Sequence, residues 1–236
     1  MKGRYTIQIE DNRLCYKFDI TRNITLIQGD SATGKTKLIR MIQDHVRGNK
    51  SIHLIIDTWS TMEKLPEIRV IASDDDLWEY RIQIAHNTIF FLDEDCTFVK
   101  TQKFASTVKN ADCYFVIINR NRLSMLPYSL DEIYALVEDK RYPKLKKTYN
   151  TLIRKYNDNQ EKIVPDTILT ADSNSGYQFM SKAFRQYCII PCYGKDNVAT
   201  LISESTENKI IAVVDGAAFG PEIEDVAVQK RIRALS

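Results

Sequence analysis

Eight consecutive residues carry the clearest chemical pattern in the chain. They read Gly-Asp-Ser-Ala-Thr-Gly-Lys-Thr and match the pattern G-x-x-x-x-G-K-[ST] in full. Glycines in this spacing let the backbone curl until successive N–H groups point into one anion-sized hollow, and a following helix adds the partial positive charge of its N-terminus. The pattern predicts a phosphate-binding loop. The residues expected to surround the phosphates are Gly29, Asp30, Ser31, Ala32, Thr33, Gly34, Lys35 and Thr36.

Two side chains at the end of this pattern have specific expected roles. Lys35 should reach the β- and γ-phosphates of a nucleoside triphosphate, and the Thr36 hydroxyl should bind Mg²⁺. A chance match in a polar turn is the alternative. An apolar strand over 24–27 and a helical pattern over about 35–46 flank the motif on the sides where it needs them. We therefore expect ATP and Mg²⁺ as ligands.

A second candidate group follows the apolar run Ile89-Phe-Phe-Leu92, which ends in Asp93 and Glu94. This segment resembles a Walker B element. The resemblance implies that Asp93 holds Mg²⁺ and that Glu94 polarises the attacking water, so that the nucleotide is hydrolysed and not only bound. The alternative is a solvated acidic turn, because Asp95 continues the run of carboxylates.

A polar residue also follows the apolar run 113–118. The order of these segments resembles the ATPase division in which the Walker B strand is not adjacent to the strand that precedes the phosphate loop. That resemblance implies that Asn119 senses the γ-phosphate, and that Arg120 or Arg122 acts as an arginine finger, within the chain or across a subunit interface. For each arginine taken alone, a surface charge is the alternative.

Apolar runs and spacing predict the elements that position these groups. Residues 5–18 alternate in polarity about Asp-Asn-Arg, which is typical of a β-hairpin. Continuous apolar runs at 24–27, 52–57, 89–92 and 113–118 favour a parallel sheet covered on both faces. The hairpin and loop resemble the start of an ABC-type or SMC-like domain. However, the glycine-rich signature of that class is missing, since no glycine lies between Gly48 and Gly176.

The segment 136–164 differs in composition from what precedes it. It contains eight Lys/Arg against four Asp/Glu, with three interleaved tyrosines. We interpret it as a linker or an exposed helical hairpin. Its most basic part, 140–156, is a candidate nucleic-acid contact, because cations follow a phosphate backbone and aromatic rings stack on bases. A solvated helix face is the alternative.

The last part of the chain resembles a Toprim module, the small α/β unit of topoisomerases, primases and OLD-type nucleases. The resemblance is carried by 168–173, 189–198 and 212–217. It implies a Mg²⁺ ligand at Asp215. The family's general acid/base Glu corresponds to Ala171, next to Asp172, and the second aspartate of its Asp-x-Asp corresponds to Ala217. The module is then degenerate or incomplete.

Composition bounds the classes of protein that are possible. The chain has 236 residues, 44% hydrophobic and 27% charged, with a net charge of +2. These values exclude intrinsic disorder and a histone-like wrapper. No apolar run approaches the roughly 20 residues of a membrane helix, and the first residues do not resemble a signal peptide. We expect a cytoplasmic protein without a membrane partner, whose five cysteines are reduced.

Together these patterns predict an α/β fold: a P-loop NTPase core with a parallel sheet over 1–135, the basic segment 136–164, and a smaller Toprim-like α/β domain over 165–236. This combination resembles the ATPase–Toprim architecture of OLD-type proteins in phage defence and mobile elements. We expect Mg²⁺-dependent ATP hydrolysis coupled to nucleic acid, a partner protein or a homo-oligomer. The alternatives are a nucleotide-gated regulatory or scaffold protein, a metal-dependent Toprim nuclease and, last, a nucleotide kinase.

Overall fold

The computed structural model of the chain describes residues 3–29, 34–58, 64–141, 147–156, 164–206, 209–215 and 219–227. The chain divides into two compact units. The larger unit comprises Met1–Leu126 and Glu132–Lys155, and the smaller unit comprises Pro127–Asp131 and Tyr156–Ser236.

The larger unit is built on one nine-stranded sheet. Its strands are β1 (Tyr5–Glu10), β2 (Leu14–Ile20), β3 (Ile24–Gln28), β4 (His53–Thr58), β5 (Glu67–Ile71), β6 (Thr88–Leu92), β7 (Cys113–Ile118), β8 (Ile133–Glu138) and β9 (Thr148–Arg154). Its α-helices are α1 (Lys35–Val46), α2 (Trp78–Gln83) and α3 (Gln102–Asn110). The strand order is β4-β1-β2-β9-β8-β3-β7-β6-β5, and most neighbouring strands are parallel.

The strands β3, β6 and β7 form the buried centre of this sheet. Every residue of the three strands is buried, because each strand is mainly apolar and has neighbours on both sides. β7 lies between β3 and β6 and is parallel to both. The carboxyl ends of all three strands therefore meet at one edge of the sheet. The predicted α/β class is confirmed.

Two local predictions near the loop are confirmed. β1 and β2 form an antiparallel hairpin in which Ile7 faces Phe18. The helix after the loop runs from Lys35 to Val46, the predicted bounds, and buries Leu38, Ile39, Met41 and Ile42 on the face that packs into the core. Apolar spacing of three and four residues produces this one-sided burial.

The prediction of a buried parallel strand over 52–57 is wrong. β4 pairs antiparallel with β1 at the edge of the sheet, and its residues alternate between exposed and half-buried, with Ile55 46% exposed. The outer neighbour of β6 is the parallel strand β5, which was not predicted from the sequence. β5 carries Glu67 and Arg69, which form an ion pair of 2.8 Å. Charges of this kind are usual on an edge strand and hide the apolar pattern.

The interpretation of 136–164 as a linker or helical hairpin is also wrong for its described part. β8 and β9 form an antiparallel pair within the main sheet, with Leu136 opposite Leu152. β9 is also parallel to β2, so these strands join the hairpin to the central strands. Alternation places Leu136 in the core and puts Arg154 outside. Of the charged residues of the segment, only Glu138 and Arg154 lie in these strands, and the others lie between or after them in the sequence.

The smaller unit contains a three-stranded parallel sheet. Its strands are β10 (Thr167–Thr170), β11 (Cys188–Pro191) and β12 (Ile210–Val213), in the order β11-β10-β12. Its α-helices are α4 (Ser175–Ala183), α5 (Val198–Glu204) and α6 (Ile223–Ala227). These strands confirm the second strand–helix alternation predicted from the sequence. The central strand β10 is fully buried.

Candidate functional site

The predicted phosphate-binding loop joins β3 to α1. Gly29 has φ +146° and Gly34 has φ +92°, and both values lie in the region that favours glycine over other residues. Gly34 is the N-cap residue of α1, so the helix begins at Lys35 with its first N–H groups at the end of the loop. Residues 30–33 lie outside the described residues.

Lys35 lies inside the mouth of this loop. Its side chain is buried, with the residue 6% exposed, and its ammonium donates to the Gly29 carbonyl oxygen at 2.8 Å. The lysine therefore spans the loop from its end to its beginning. An ammonium group has three N–H donors, so one contact with a carbonyl is compatible with a role in binding phosphate.

Tyr16 of β2 supports the loop, and sequence reasoning missed it. Its hydroxyl donates to the Gly34 carbonyl oxygen at 3.2 Å, and the Leu38 amide donates to the same oxygen at 3.0 Å. Burial, together with the charge of Asp11, raises the pKa of Tyr16 to about 12, so the phenol keeps the proton that it donates. No pattern in the sequence distinguishes Tyr16 from the other large residues of the hairpin.

Replacement of this tyrosine tests whether it positions the loop. We expect Tyr16→Phe to raise the Kd for MgATP about two- to tenfold, because a net hydrogen bond of about 0.5–1.5 kcal/mol that orients Gly34 is lost. Tyr114→Phe is the matched control, since Tyr114 is also buried and donates to a backbone carbonyl, that of Gly3, at 3.2 Å. Both variants should lose similar thermal stability. Equal Kd values for the two variants would contradict a positioning role.

Thr36 and Asp93 are the predicted Mg²⁺ ligands. Thr36 is exposed in the first turn of α1, and Asp93 directly follows β6, with one carboxylate oxygen accepting from the Glu94 amide at 2.8 Å. Hydroxyl and carboxylate oxygens are the hard donors that Mg²⁺ prefers, and phosphate oxygens and water supply its other ligands. The two residues therefore fit a nucleotide-bound Mg²⁺. Within the described parts of the chain, no group of three or more His, Cys, Asp or Glu could hold a metal without a nucleotide.

Asn119 is attached to the strand that leads into the loop. It is buried, and its backbone amide donates to the Ile27 carbonyl oxygen at 3.2 Å. Its side-chain oxygen accepts from the Asn121 amide at 3.0 Å, which orients the carboxamide. The donor end of that carboxamide, an NH₂ group, is suited to a phosphate oxygen. The structure thus brings Asn119 to the edge of the sheet where β3 ends.

Glu94 and Arg120 form an ion pair at the same edge. The Arg120 Nε lies 2.6 Å from the Glu94 Oε1, with the two side chains 55% and 35% exposed. The predicted arginine finger and the predicted catalytic carboxylate are thus bonded to each other. Arg122 is exposed two residues further on. The sequence identified Glu94 and Arg120 as candidate catalytic residues but did not predict their contact.

In the smaller unit, Asp172 has a structural role. Its carboxylate accepts from the backbone amides of Gly176 and Tyr177 at 2.9 and 3.0 Å, and so it caps the first turn of α4. The Ala171 amide donates to the Val213 carbonyl oxygen at 3.0 Å, which aligns the carboxyl ends of β10 and β12. The acidic neighbour of Ala171 is therefore engaged by a helix N-terminus.

Asp215, the predicted Mg²⁺ ligand of this unit, is exposed after β12. Glu222, an acidic residue further along the chain, forms an ion pair of 2.9 Å with Lys195. Ala217 lies outside the described residues. No set of three or more acidic, His or Cys side chains is arranged for a metal in the described parts of the unit. These donors do not fit a Toprim metal centre, and we derive no metal chemistry from them.

The helix cap at Asp172 can be tested by its effect on stability. We expect Asp172→Ala to lower the free energy of unfolding by about 1 kcal/mol, the usual loss when a helix cap is removed. Asp166→Ala is the control, since Asp166 is an exposed aspartate just before β10. Urea denaturation followed by circular dichroism measures both. Equal stability of the two variants would show that the cap contributes nothing.

Three basic residues in the described part of 140–156 have partners within the larger unit. Arg141 forms an ion pair with Asp139, and Lys147 lies 3.1 Å from Glu10. Although burial opposes the effect, Lys147 lowers the pKa of Glu10. Lys155 donates to the side-chain oxygen of Gln28 at 2.9 Å, one residue before the loop. Residues 142–146 lie outside the described residues, and the nucleic-acid contact stays a prediction.

A polar cavity of about 280 Å³ lies far from these groups within the larger unit. It is lined by residues of α2, α3 and the segments that precede β6 and β7, including Gln83, His86, Asn110 and Asp112. The amino ends of β6 and β7 are at the edge of the sheet opposite the carboxyl ends, where the loop and the acidic motif lie. This cavity is therefore separate from the candidate nucleotide site.

No helix in the described residues is both long and apolar enough to cross a membrane. No protein-family model matches the chain, and a search of curated proteins finds no match.

Proposed function

We propose that the chain binds MgATP at the Gly29–Thr36 loop and hydrolyses it. The observation that carries the proposal is the meeting of three strand ends at one edge of the sheet. There β3 leads into the loop, β6 ends before Asp93 and Glu94, and β7 ends before Asn119, whose amide is bonded to the Ile27 carbonyl. A parallel sheet offers its ligand sites at the carboxyl ends of its strands.

The order of the strands supports a P-loop NTPase core. β7 separates β6 from β3, which is the order of the ATPase division that the motifs resemble. In that division, the acidic strand and the sensor strand approach the nucleotide from the same side as the loop. The buried Lys35 and the two glycines with positive φ support the same assignment.

The roles of the residues follow from phosphoryl-transfer chemistry. Lys35 neutralises charge on the β- and γ-phosphates, and the NH₂ group of Asn119 donates to a γ-phosphate oxygen. Glu94 accepts a proton from water as the water oxygen bonds to the γ-phosphorus. The bond from that phosphorus to the bridging oxygen breaks, and its electron pair leaves with ADP. Thr36 and Asp93 would hold Mg²⁺, which would neutralise charge on the phosphate oxygens when bound.

A regulatory or scaffold role for the hydrolysis is the second candidate. In the smaller unit, Asp172 caps α4 and Glu222 forms an ion pair with Lys195. These contacts argue against a role for the two carboxylates in phosphodiester cleavage. We propose that the smaller, Toprim-like unit couples the nucleotide cycle to a partner protein, a nucleic acid or a second copy without cutting nucleic acid.

Phosphate release from the full chain tests both candidates. We expect release from ATP with Mg²⁺ and none with EDTA, because the oxygen ligands need the cation to neutralise the triphosphate. The same preparation with Mn²⁺ or Mg²⁺ should leave supercoiled plasmid intact. Nicking that disappears in Asp215→Ala would favour the nuclease instead.

A further inference from the structure

The short helix α2 lies in the connection between the edge strand β5 and its neighbour β6. Its inner side packs into the core of the larger unit. Ile82 is fully buried on this side, and the ring of Trp78 stacks on the ring of Phe98 with their centroids 4.7 Å apart. These contacts fix α2 on the larger unit through one side of the helix.

The opposite side of α2 is apolar as well. Leu77, Tyr80 and Ile84 are 60%, 59% and 53% exposed, and we call them the outer stripe. The Arg81 amide donates to the Leu77 carbonyl oxygen at 3.0 Å and the Ile84 amide to that of Tyr80 at 3.1 Å, so helical geometry extends over the stripe. Spacings of three and four residues then place the three side chains on one face.

An apolar outer face is unusual for a helix at the surface of a protein. The exposed residues of the neighbouring helix α3 are all polar, as expected for a helix that packs on one side only. A helix that is apolar on opposite sides is normally covered on both. Exposed apolar residues that lie next to each other and are bordered by charges are typical of a surface that binds another protein. The outer stripe is therefore a candidate docking surface.

The surface around the outer stripe is acidic. The segment 72–84 contains four Asp or Glu residues and one arginine, whereas the whole chain has a net charge of +2. Arg81 is paired with Asp75 at 2.8 Å, and Asp74 and Asp76 are exposed. Such a rim attracts a positively charged partner. It repels nucleic acid and anionic lipid, and two copies of this face repel each other.

The polar cavity of about 280 Å³ adjoins the same helix. Glu79 and Gln83 of α2 contribute to its lining, and so do Asn110 and Asp112. Lys103 is paired with Glu79 at 2.6 Å, which leaves the exposed Asp112 as the carboxylate for a further cation. Carboxylate and amide oxygens accept hydrogen bonds, and a guanidinium offers five N–H donors. The cavity is therefore suited to an arginine side chain.

We propose that the outer stripe and the cavity together bind a basic amphipathic helix of a partner protein. The apolar face of that helix covers Leu77, Tyr80 and Ile84, as in other helix-mediated contacts. One of its arginines enters the cavity beside Asp112, and its remaining positive charges lie near the acidic rim. This surface is separate from the candidate nucleotide site. The inference therefore goes beyond the proposed function and does not depend on nucleotide binding.

Selection of peptides on the full chain tests this proposal without a known partner. The probe is a random peptide library displayed on phage, with peptides long enough for about four helical turns. We expect the enriched peptides to carry apolar residues at spacings of three and four, together with several arginines or lysines. Fluorescence anisotropy then measures the Kd of an enriched synthetic peptide for the wild-type chain and for variants.

Two variants separate the stripe from the cavity. Tyr80→Ser should raise the Kd at least about tenfold, because the burial of a large apolar side chain is lost. Asp112→Asn should raise the Kd about two- to fivefold, because a partly exposed charge pair is lost. The matched controls are Val46→Ser, at a residue 49% exposed at the end of α1, and Asp57→Asn, at an exposed aspartate of β4. Both controls should stay within about twofold of wild type.

The opposite outcomes overturn the proposal. All four changed side chains are exposed in part or in full, so circular dichroism should show that each variant is folded. A library that yields no enriched peptide, enriched peptides without an excess of positive charge, or equal Kd values for Tyr80→Ser and Val46→Ser would each contradict it. Sedimentation showing a wild-type dimer that Tyr80→Ser dissociates would also contradict it, since a second copy would then cover the stripe.

Discussion

Lys35→Ala is expected to raise the Kd for MgATP by more than about 100-fold. Lys35 is the buried cation of the loop, and its ammonium sits on the Gly29 carbonyl at the loop mouth. Truncating a charged partner of this kind usually weakens binding by about 2–5 kcal/mol, because the opposite charge then lacks its counter-charge. Equilibrium titration with a fluorescent ATP analogue, or calorimetry, measures the change.

The matched control for this variant is Lys37→Ala. Lys37 lies on the exposed side of the same helical turn, so its loss changes the net charge equally but leaves the loop unaltered. We expect its Kd to stay within about threefold of the wild-type value, since exposed charges interact weakly through water. If the two variants bound ATP equally well, Lys35 would not be the phosphate-binding lysine.

Glu94→Gln is expected to lower the rate of ATP hydrolysis by about 10²- to 10⁴-fold, the usual contribution of a general base. Glutamine has nearly the same shape but accepts no proton from water. Binding should survive, because the loop and Lys35 are unchanged. Phosphate release under single-turnover conditions separates the chemical step from nucleotide binding.

Asp95→Asn is the control for Glu94→Gln. Asp95 is the exposed third carboxylate of the same run, so the variant removes one charge from the same turn. Its hydrolysis rate should stay within about threefold of wild type. If Asp95→Asn lost activity while Glu94→Gln stayed fully active, the general base would be Asp95 and not Glu94.

The sequence predicted the elements around the loop because their signals are local. The motif itself, the apolar run of β3 and the spacing of α1 each depend on neighbouring residues only, and the helix has the expected bounds. Runs that are buried on both faces, such as β6 and β7, were identified for the same reason. The predicted neighbourhood of Asp93, Glu94 and Asn119 follows from their positions after these strands.

The edges of the sheet could not be predicted in the same way. β4 was expected among the buried parallel strands but pairs antiparallel with β1 at one edge of the sheet, because an apolar run does not show which partners it has. β5 was not predicted, and it pairs with β6 at the other edge. β8 and β9 were missed because the sequence between and after them is highly charged, yet β9 lies between β2 and β8 in the sheet. Which residues pair with these charges, such as Glu10 with Lys147, depends on contacts between residues far apart in the chain.

The contacts within the candidate site could not be predicted from the sequence either. Tyr16 and Gly34 are far apart in sequence, and only the fold of the hairpin onto the loop brings them together. Arg120 and Glu94 were each named as candidates with separate roles, but their distance of 2.6 Å depends on the adjacency of β6 and β7. In both cases, the contact forms because the fold brings together segments that are separate in the sequence.

Calorimetric titration of the full-length chain with MgATP tests the nucleotide site most directly. We expect a saturable heat with one nucleotide bound per chain, and a much weaker signal when Mg²⁺ is removed. A flat titration at concentrations up to the millimolar range, with a folded protein by circular dichroism, would contradict the assignment of the Gly29–Thr36 loop to nucleotide binding.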